Sequence, residues 1–387
     1  LYSTIQGKKI IMGGSSKSMI LPFNMPPVAK SGMLGMLSGA GGGAFTGVPY
    51  FQLLTRKSLT SAGASITTSA FTTKDNLMVL FHGIPETSSH TVSARYQLGT
   101  GGSIDTGSDY AQTGQRNSAG TASGGSRDNV SLSLDPASSS GKNEWAILNI
   151  NNISSEVKMT FSNCATAEEA NTNGVERGVV SGKYVEKSAQ VNIVKIFNSE
   201  SGSHNYSTDS ELIVLGFNSD KLDDGNNFWE HIETKTLTSA NTTFESTQIA
   251  TPKNYYYIQA SFDQVSSSGV GLMYAGIGGS YSGSAGANRY NYNFGTDGSQ
   301  DSVGYGIVSN SGGGRVYINA FIVNKAGYEK YALINGSLQT GGSGTIPDNC
   351  EAVAKWTTKT GQLDIFKFTN ADGNNLDNGT MTIWGAD

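Results

Sequence analysis

With 387 residues, of which 15% are charged and 50 are glycine, the chain is long enough for two or three domains. Its apolar share can bury a core, which argues against a wholly disordered chain. A net charge of −5 argues against a protein built to hold nucleic acid, no run of 18 apolar residues offers a membrane-spanning helix, and the glycines lack the three-residue period of collagen.

Residues 1–49 stand apart. They hold four of the eight prolines and five of the nine methionines, Met12, Met19, Met25, Met33 and Met36. Lys8, Lys9, Lys17 and Lys30 occur there, and the first acid of the chain is Asp75. The arm is therefore +4 and the rest −9, the difference between −5 and +4. Its apolar clusters include Ile10, Ile11, Met19, Ile20, Leu21 and Phe23, with no pattern for a core of their own. Two readings stand: a fraying leader, or an extended arm whose strands add to the sheet edge of a neighbouring subunit. Opposite charge on arm and body favours docking, and methionine suits adaptable contacts. The sequence opens at Leu1 with no charged-then-apolar leader, which leaves cleavage of an upstream segment an open question.

Behind the arm the chain repeats itself. Lys57-Ser58-Leu59-Thr60-Ser61-Ala62 falls on Lys235-Thr236-Leu237-Thr238-Ser239-Ala240, Thr73 on Thr251 and Asn76 on Asn254. Farther on, Lys183-Tyr184 falls on Lys355-Trp356, Gln190 on Gln362, and Ile193-Val194-Lys195 on Ile365-Phe366-Lys367. Leu212-Ile213-Val214-Leu215-Gly216 then matches Met381-Thr382-Ile383-Trp384-Gly385. This steady spacing predicts two copies of one domain, 50–220 and 221–387, joined at the acidic turn Ser219–Gly225.

Each copy reads as all-β. In the second, strands are predicted at 228–238, 254–262, 286–294, 302–309, 314–324, 328–334, 350–357, 362–369 and 379–384. Arg289-Tyr290-Asn291-Tyr292-Asn293-Phe294 alternates with its aromatics on one face. The nearest thing to a helix is one turn at Ala165–Ala170. Eight or nine short strands per copy suit two tandem jelly-roll-like β-sandwich domains behind the extended N-terminal arm.

Chemistry is sparse. His82, His90, His204 and His231 lack ligand spacing, and HExxH, GxSxG and CxxC are all absent from the sequence. His82 and His231 fall in strand-like stretches and read as partly buried structural residues. Gly39–Ala44 fits GxGxxA without the strand and helix that a dinucleotide site needs. Asp223-Asp224 and Glu168-Glu169 read as solvated turns rather than a glycosidase pair, and Asp372–Gly379 lacks EF-hand spacing. No catalytic residue, metal ligand or cofactor is therefore assigned. Cys164 and Cys350 read as two buried thiols or as a single bridge.

Tyrosine is the most informative side chain, with 17 copies. Tyr290 and Tyr292 beside Arg289 are candidate contacts for a glycan or a partner, since tyrosine is amphipathic and stiff. The competing reading puts Tyr256 and one edge of the Tyr290/Tyr292 pair in the sandwich core.

The pattern Val353-Ala354-Lys355-Trp356, Gly361-Gln362-Leu363-Asp364-Ile365 and Thr382-Ile383-Trp384-Gly385-Ala386-Asp387 resembles a repeat in structural proteins of marine phages and other environmental viruses. Copy one carries it as Gly182-Lys183-Tyr184, Gln190-Val191-Asn192-Ile193 and Val214-Leu215-Gly216, with Tyr184 and Leu215 at the tryptophan positions. The block Ala320–Asn324 with Glu329-Lys330 is similar too. The resemblance covers 50–387 and implies a virion component, with no catalytic residue to carry over. The expectation is a non-enzymatic structural protein on a virion surface: capsid, decoration, or spike and tail fibre. Its partners would be copies of itself, other virion proteins and host-surface glycans, without specific nucleic acid or membrane. A carbohydrate-binding adhesin and a secreted filament subunit are the alternatives.

Overall fold

The structure, a computed structural model, describes residues 51–387 apart from 119–120, 135–138, 141, 168–174, 201–203, 219–226, 265–269, 282–285, 293–297, 302–305, 310–312 and 339–347. The predicted arm, with Ile10, Ile11, Met19, Ile20, Leu21 and Phe23, lies outside the described residues, as do the acidic junction, Glu168-Glu169 and Asp223-Asp224.

The first half runs β1 (Gln52–Ser58), β2 (Ser65–Thr67), β3 (Asn76–Gly83), β4 (Thr91–Val92) and β5 (Ala94–Thr100). It continues with β6 (Ser103–Ile104), β7 (Tyr110–Ser118), β8 (Thr121–Asn129), β9 (Leu132–Ser133) and β10 (Ser139–Ser140). It closes with β11 (Glu144–Asn151), β12 (Lys158–Ala167), β13 (Val175–Tyr184), β14 (Ile193–Asn198) and β15 (Glu211–Phe217). The second half opens with β16 (Glu230–Leu237), β17 (Thr243–Glu245), β18 (Tyr255–Gln264), β19 (Gly271–Ile277), β20 (Ser280–Tyr281) and β21 (Gly286–Tyr292). It ends with β22 (Gly298–Asp301), β23 (Gly306–Ser309), β24 (Gly314–Val323), β25 (Lys330–Leu338), β26 (Asp348–Trp356), β27 (Leu363–Asn370) and β28 (Leu376–Ala386). The predicted helical turn at Ala165 is instead the end of β12, paired on both sides.

Each half is a sandwich of a larger and a smaller antiparallel sheet. The large sheets run β1-β15-β3-β11-β12-β13-β7-β8 and β16-β28-β18-β24-β25-β26-β21-β22. The small ones run β2-β14-β5-β6, with β9 beside β5, and β17-β27-β19-β20, with β23 beside β19. These orders are the same, strand for strand, and the first half adds a two-stranded sheet, β10-β4. The bulge in β1 between Leu53 and Thr55 recurs in β16 between His231 and Glu233. Lys57 pairs with Leu212, and Lys235 with Met381. The sequence match of Asn76 to Asn254 is one residue out: Leu77 faces Gly216 as Tyr256 faces Gly385, so Asn76 corresponds to Tyr255.

The same turn closes one hairpin in both halves. Gly101 and Gly102 link β5 to β6, with φ of 61° and 82°, and Gly278 and Gly279 link β19 to β20, with φ of 61° and 72°. Two successive left-handed residues match the twist of a two-residue hairpin, and only glycine adopts them without strain.

Three apolar layers hold the molecule. Phe81, Leu98, Leu148, Val194 and Val214 fill the first sandwich. Tyr256, Ile258, Ile318, Phe366 and Ile383 fill the second. A third layer joins residues of both large sheets, and the described residues belong to one compact unit. This explains why every residue of β3 is buried, since both faces of that strand are covered.

A buried asparagine clamps each sandwich. Asn152 Nδ2 donates to the Lys74 and Val191 carbonyls at 2.9 and 3.0 Å, and its Oδ1 accepts from Val191 N at 2.7 Å. Asn324 does the same with Lys253 O, Leu363 O and Leu363 N at 2.9, 3.0 and 2.7 Å. Beside each clamp lies a buried lysine. Lys158 Nζ donates to the Ile153 and Glu156 carbonyls, and Lys330 Nζ to those of Tyr328, Thr358 and Lys359. Burial pulls both ammonium groups below the usual lysine range, Lys330 to about 8. Asn152→Ala and Asn324→Ala are each expected to cost about 3 kcal/mol, because three hydrogen bonds go and buried backbone groups lose their partners. Urea unfolding of the two variants checks this, with near-equal losses expected. A loss well under 1 kcal/mol in either would show that the clamp is dispensable there.

Candidate functional site

The seam between the large sheets is where the two halves meet chemically. Alternation along β18 sends Tyr256 into its own sandwich, while Tyr255 and Tyr257 point into the seam. Trp145 of β11 lies 5.8 Å, ring to ring, from Tyr255. Tyr257 stacks at 4.4 Å on Phe321 and at 5.3 Å on Trp384. All three tyrosines of the 255–257 run are buried.

Charged groups close one side of this layer. Glu211 of β15 meets Arg56 Nε at 2.6 Å, Lys325 Nζ at 2.8 Å and the Tyr255 hydroxyl, so it ties β1 of the first half to two residues of the second. Burial pushes the Glu211 carboxyl up, yet Lys325, Arg56 and Tyr255 together outweigh it and hold it at about 2. Burial also keeps the Tyr255 phenol protonated, with the Glu211 charge adding to the effect. Next door, the fully buried His82 is held at about 3, first by burial and then by Lys325, so it is neutral at ordinary pH. The hydroxyl of Tyr328 donates to Asp209 across the same side.

A second bridge lies farther along the seam. The Arg177 guanidinium pairs with Glu351 at 2.5 Å, and Arg289 Nε donates to the Val175 carbonyl at 2.9 Å. These contacts take Arg289 out of the predicted contact set at 289–292. Arg289 is 3% exposed, and strand alternation puts it on the seam face of β21. Tyr290 and Tyr292 are half-buried on the opposite face, 5.2 Å apart, packed with Leu272 and Cys350. The three residues therefore do not form one surface. A cation in an alternating strand is expected on a solvent face; here the other half covers that face, and the Val175 carbonyl accepts from the guanidinium.

Cys164 and Cys350 are buried and unbridged. The histidines are dispersed. His82 is buried, whereas His231 is exposed on the edge strand β16, with Nε2 2.8 Å from Thr234 Oγ1. Sequence spacing gives no hint that His90 and His204 stack at 5.2 Å, where Asn205 N donates to His90 Nδ1. Among the described residues no three His, Cys, Asp or Glu side chains come together as a metal site. No helix of the described residues is long and apolar enough to cross a membrane. Asp263, near the predicted Asp372–Gly379 loop, pairs with Arg315 at 3.0 Å and accepts from Asn378 Nδ2 at 3.2 Å.

What the arrangement does is mechanical: it fixes two sandwiches in one orientation through an aromatic layer rimmed with ion pairs. Sequence reading missed it because an apolar outward face shows that something covers it, without showing what.

No family model and no curated protein matches this chain. Among solved structures, domains LG4-5 of the mouse laminin alpha1 chain align over 88% of this chain and 91% of that one. The identity is 10% and the TM-score 0.19, a likeness too slight to carry an argument.

Proposed function

We propose that this chain is a non-enzymatic structural protein exposed on the surface of a virus particle, as a shell, decoration, or spike and fibre component. The observation that carries the reading is the seam. Two sandwiches of one strand order are locked by Trp145, Tyr255, Tyr257 and Trp384 into a single compact block, a rigid unit suited to bearing load. The resemblance of the repeat signature to structural proteins of environmental viruses supports the same reading, and its Trp384 lies in the seam. Self-association fits a composition low in charge and high in glycine. The carbohydrate-binding reading keeps the half-buried Tyr290 and Tyr292 as its candidate contacts, without Arg289.

Two measurements test this. Gold-labelled antibodies against the full-length chain should decorate virus particles from the source sample. Light scattering and electron microscopy of the purified chain should show regular assemblies. A strictly monomeric protein that never accompanies particles would overturn the proposal, as would turnover of a glycosidic or ester substrate.

A further inference from the structure

The seam buries one side chain whose polar atoms it does not satisfy. His82 lies on the seam face of β3, fully buried, and neither ring nitrogen has a hydrogen-bond partner among the described residues. Its cross-strand neighbours are Trp145 of β11 and Glu211 of β15. The second half covers it with Tyr328, whose ring stands edge-on 5.9 Å away and whose hydroxyl is directed to Asp209. The charges that act on the imidazole are Lys325, Glu211 and Lys330. Glu211 is the one carboxylate among them, and Arg56 and Lys325 already share it. The Lys330 ammonium is held by carbonyls alone.

The fold itself does not require a histidine here. By strand register the counterpart of His82 in the second half is Ser261, which faces Tyr317 and Thr380 as His82 faces Trp145 and Glu211. Ser261 is half-buried, and its hydroxyl accepts from Arg315 Nε at 2.9 Å. The buried imidazole is therefore particular to the joined face of the first half.

We propose that protonation of His82 opens the seam in mild acid and separates two sandwiches that each remain folded. The proton adds a cation beside Lys325 and Lys330 in a layer that excludes water, where an uncompensated charge is costly. Opening relieves this without dismantling either sandwich. β3 keeps β11 and β15 on its two sides, and Leu77, Val79 and Phe81 stay in the first core, while His82 on the other face meets water. The direction follows from proton linkage. In the closed form His82 titrates at about 3, against an ordinary value of 6.5, so closure is fully favoured above 6.5 and loses ground as pH falls towards 3. Each pH unit inside that window shifts the balance about tenfold towards the open form. Glu211 acts in the same direction only below its ordinary value of 4.5, so between 6.5 and 4.5 the drive comes from His82. This behaviour belongs to the single chain and is independent of what it assembles into.

Full-length wild type and His82→Phe test it, since the variant keeps an aromatic ring against Tyr328 and takes up no proton. Three of the four tryptophans, Trp145, Trp229 and Trp384, lie in the seam, so their emission reports opening. Circular dichroism follows the strands, and small-angle X-ray scattering shows whether one block has become two lobes. At a fixed urea concentration just below the neutral-pH transition, the wild type should open between pH 6.5 and 4.5, its equilibrium moving about a hundredfold with the strand signal unchanged. The variant should stay closed across that interval. Opening of both proteins at the same pH would overturn the role of His82. Loss of the strand signal together with the emission shift would overturn the separation of folded sandwiches. Should His82→Phe fail to fold, the imidazole resonances of isotope-labelled wild type decide instead: uptake of the His82 proton in step with the emission shift supports the proposal, and uptake while the seam stays closed overturns it.

Discussion

Trp145→Ala is expected to lower the free energy of unfolding by about 3–5 kcal/mol, the cost of truncating a buried aromatic residue whose site cannot collapse. Trp145 is fully buried in the third apolar layer, against Tyr255 of the other half. Collapse is resisted because two sheets, each held by its own core, frame the void. The informative control is Tyr317→Ala, at the corresponding position of β24. That residue is half-buried and outside the apolar layer of the seam, and its loss should cost about 1 kcal/mol, the central value for point substitutions. Two counterparts in a duplicated fold should thus differ several-fold, because only one of them lies between the sandwiches. Urea unfolding of both variants, followed by tryptophan fluorescence and circular dichroism, decides it. Equal losses would mean that the seam adds nothing to stability beyond each sandwich alone.

The seam should also make the two halves unfold together. A large apolar interface removes the independence that domains joined by a small polar one retain. In the wild type the two probes should therefore report one transition. Trp145→Ala, with the contact weakened, is where a second transition would first emerge.

Much of this architecture is visible in the residues. The strand predicted at 254–262 is Tyr255–Gln264, that at 314–324 is Gly314–Val323, and that at 362–369 is Leu363–Asn370. These strands carry continuous or alternating apolar residues bounded by turn formers. Gly271–Ile277 escaped because glycines at 271 and 276 read as punctuation. In the fold, Gly276 lies in the strand where a Cβ would come within 2.5 Å of the Ser280 carbonyl, so the glycine serves the hairpin rather than breaking the strand. The sequence match lost register at Asn76. Phe71 and Ile249 hold equivalent hydrogen bonds, as do Lys74 and Lys253, so one extra residue enters the second copy between them. At Arg289 the alternation is legible, and the choice of buried face is not: that depends on a neighbour 114 residues away, Val175. No local pattern encodes such a partner.

Glu211→Gln is expected to cost about 3 kcal/mol at neutral pH and almost nothing in strong acid. The carboxyl is nearly buried, and its charge is balanced by Arg56 and Lys325 with a hydrogen bond from Tyr255. In the fold it titrates at about 2, against an ordinary value of 4.5. A depressed carboxyl contributes stability that is fully present above the ordinary value and is lost as pH falls through the folded one. The difference corresponds to about 3 kcal/mol at about 1.4 kcal/mol per pH unit. The side-chain amide of the variant keeps the shape and can still accept from Tyr255, but it leaves two cations at the seam without their counter-charge. Removing one partner of a buried pair is costly for that reason, even where the pair itself adds little net stability. The exposed fraction of Arg56 tempers the loss, because water takes up part of its charge. Between pH 5 and pH 2 the wild type should therefore lose stability faster than the variant, so that their unfolding curves converge towards pH 2. Urea midpoints measured across that range check the sign as well as the size. A gap that stays constant with pH would mean that Glu211 acts through packing and not through its charge, and the ion pairs would then play no part in holding the two sandwiches together.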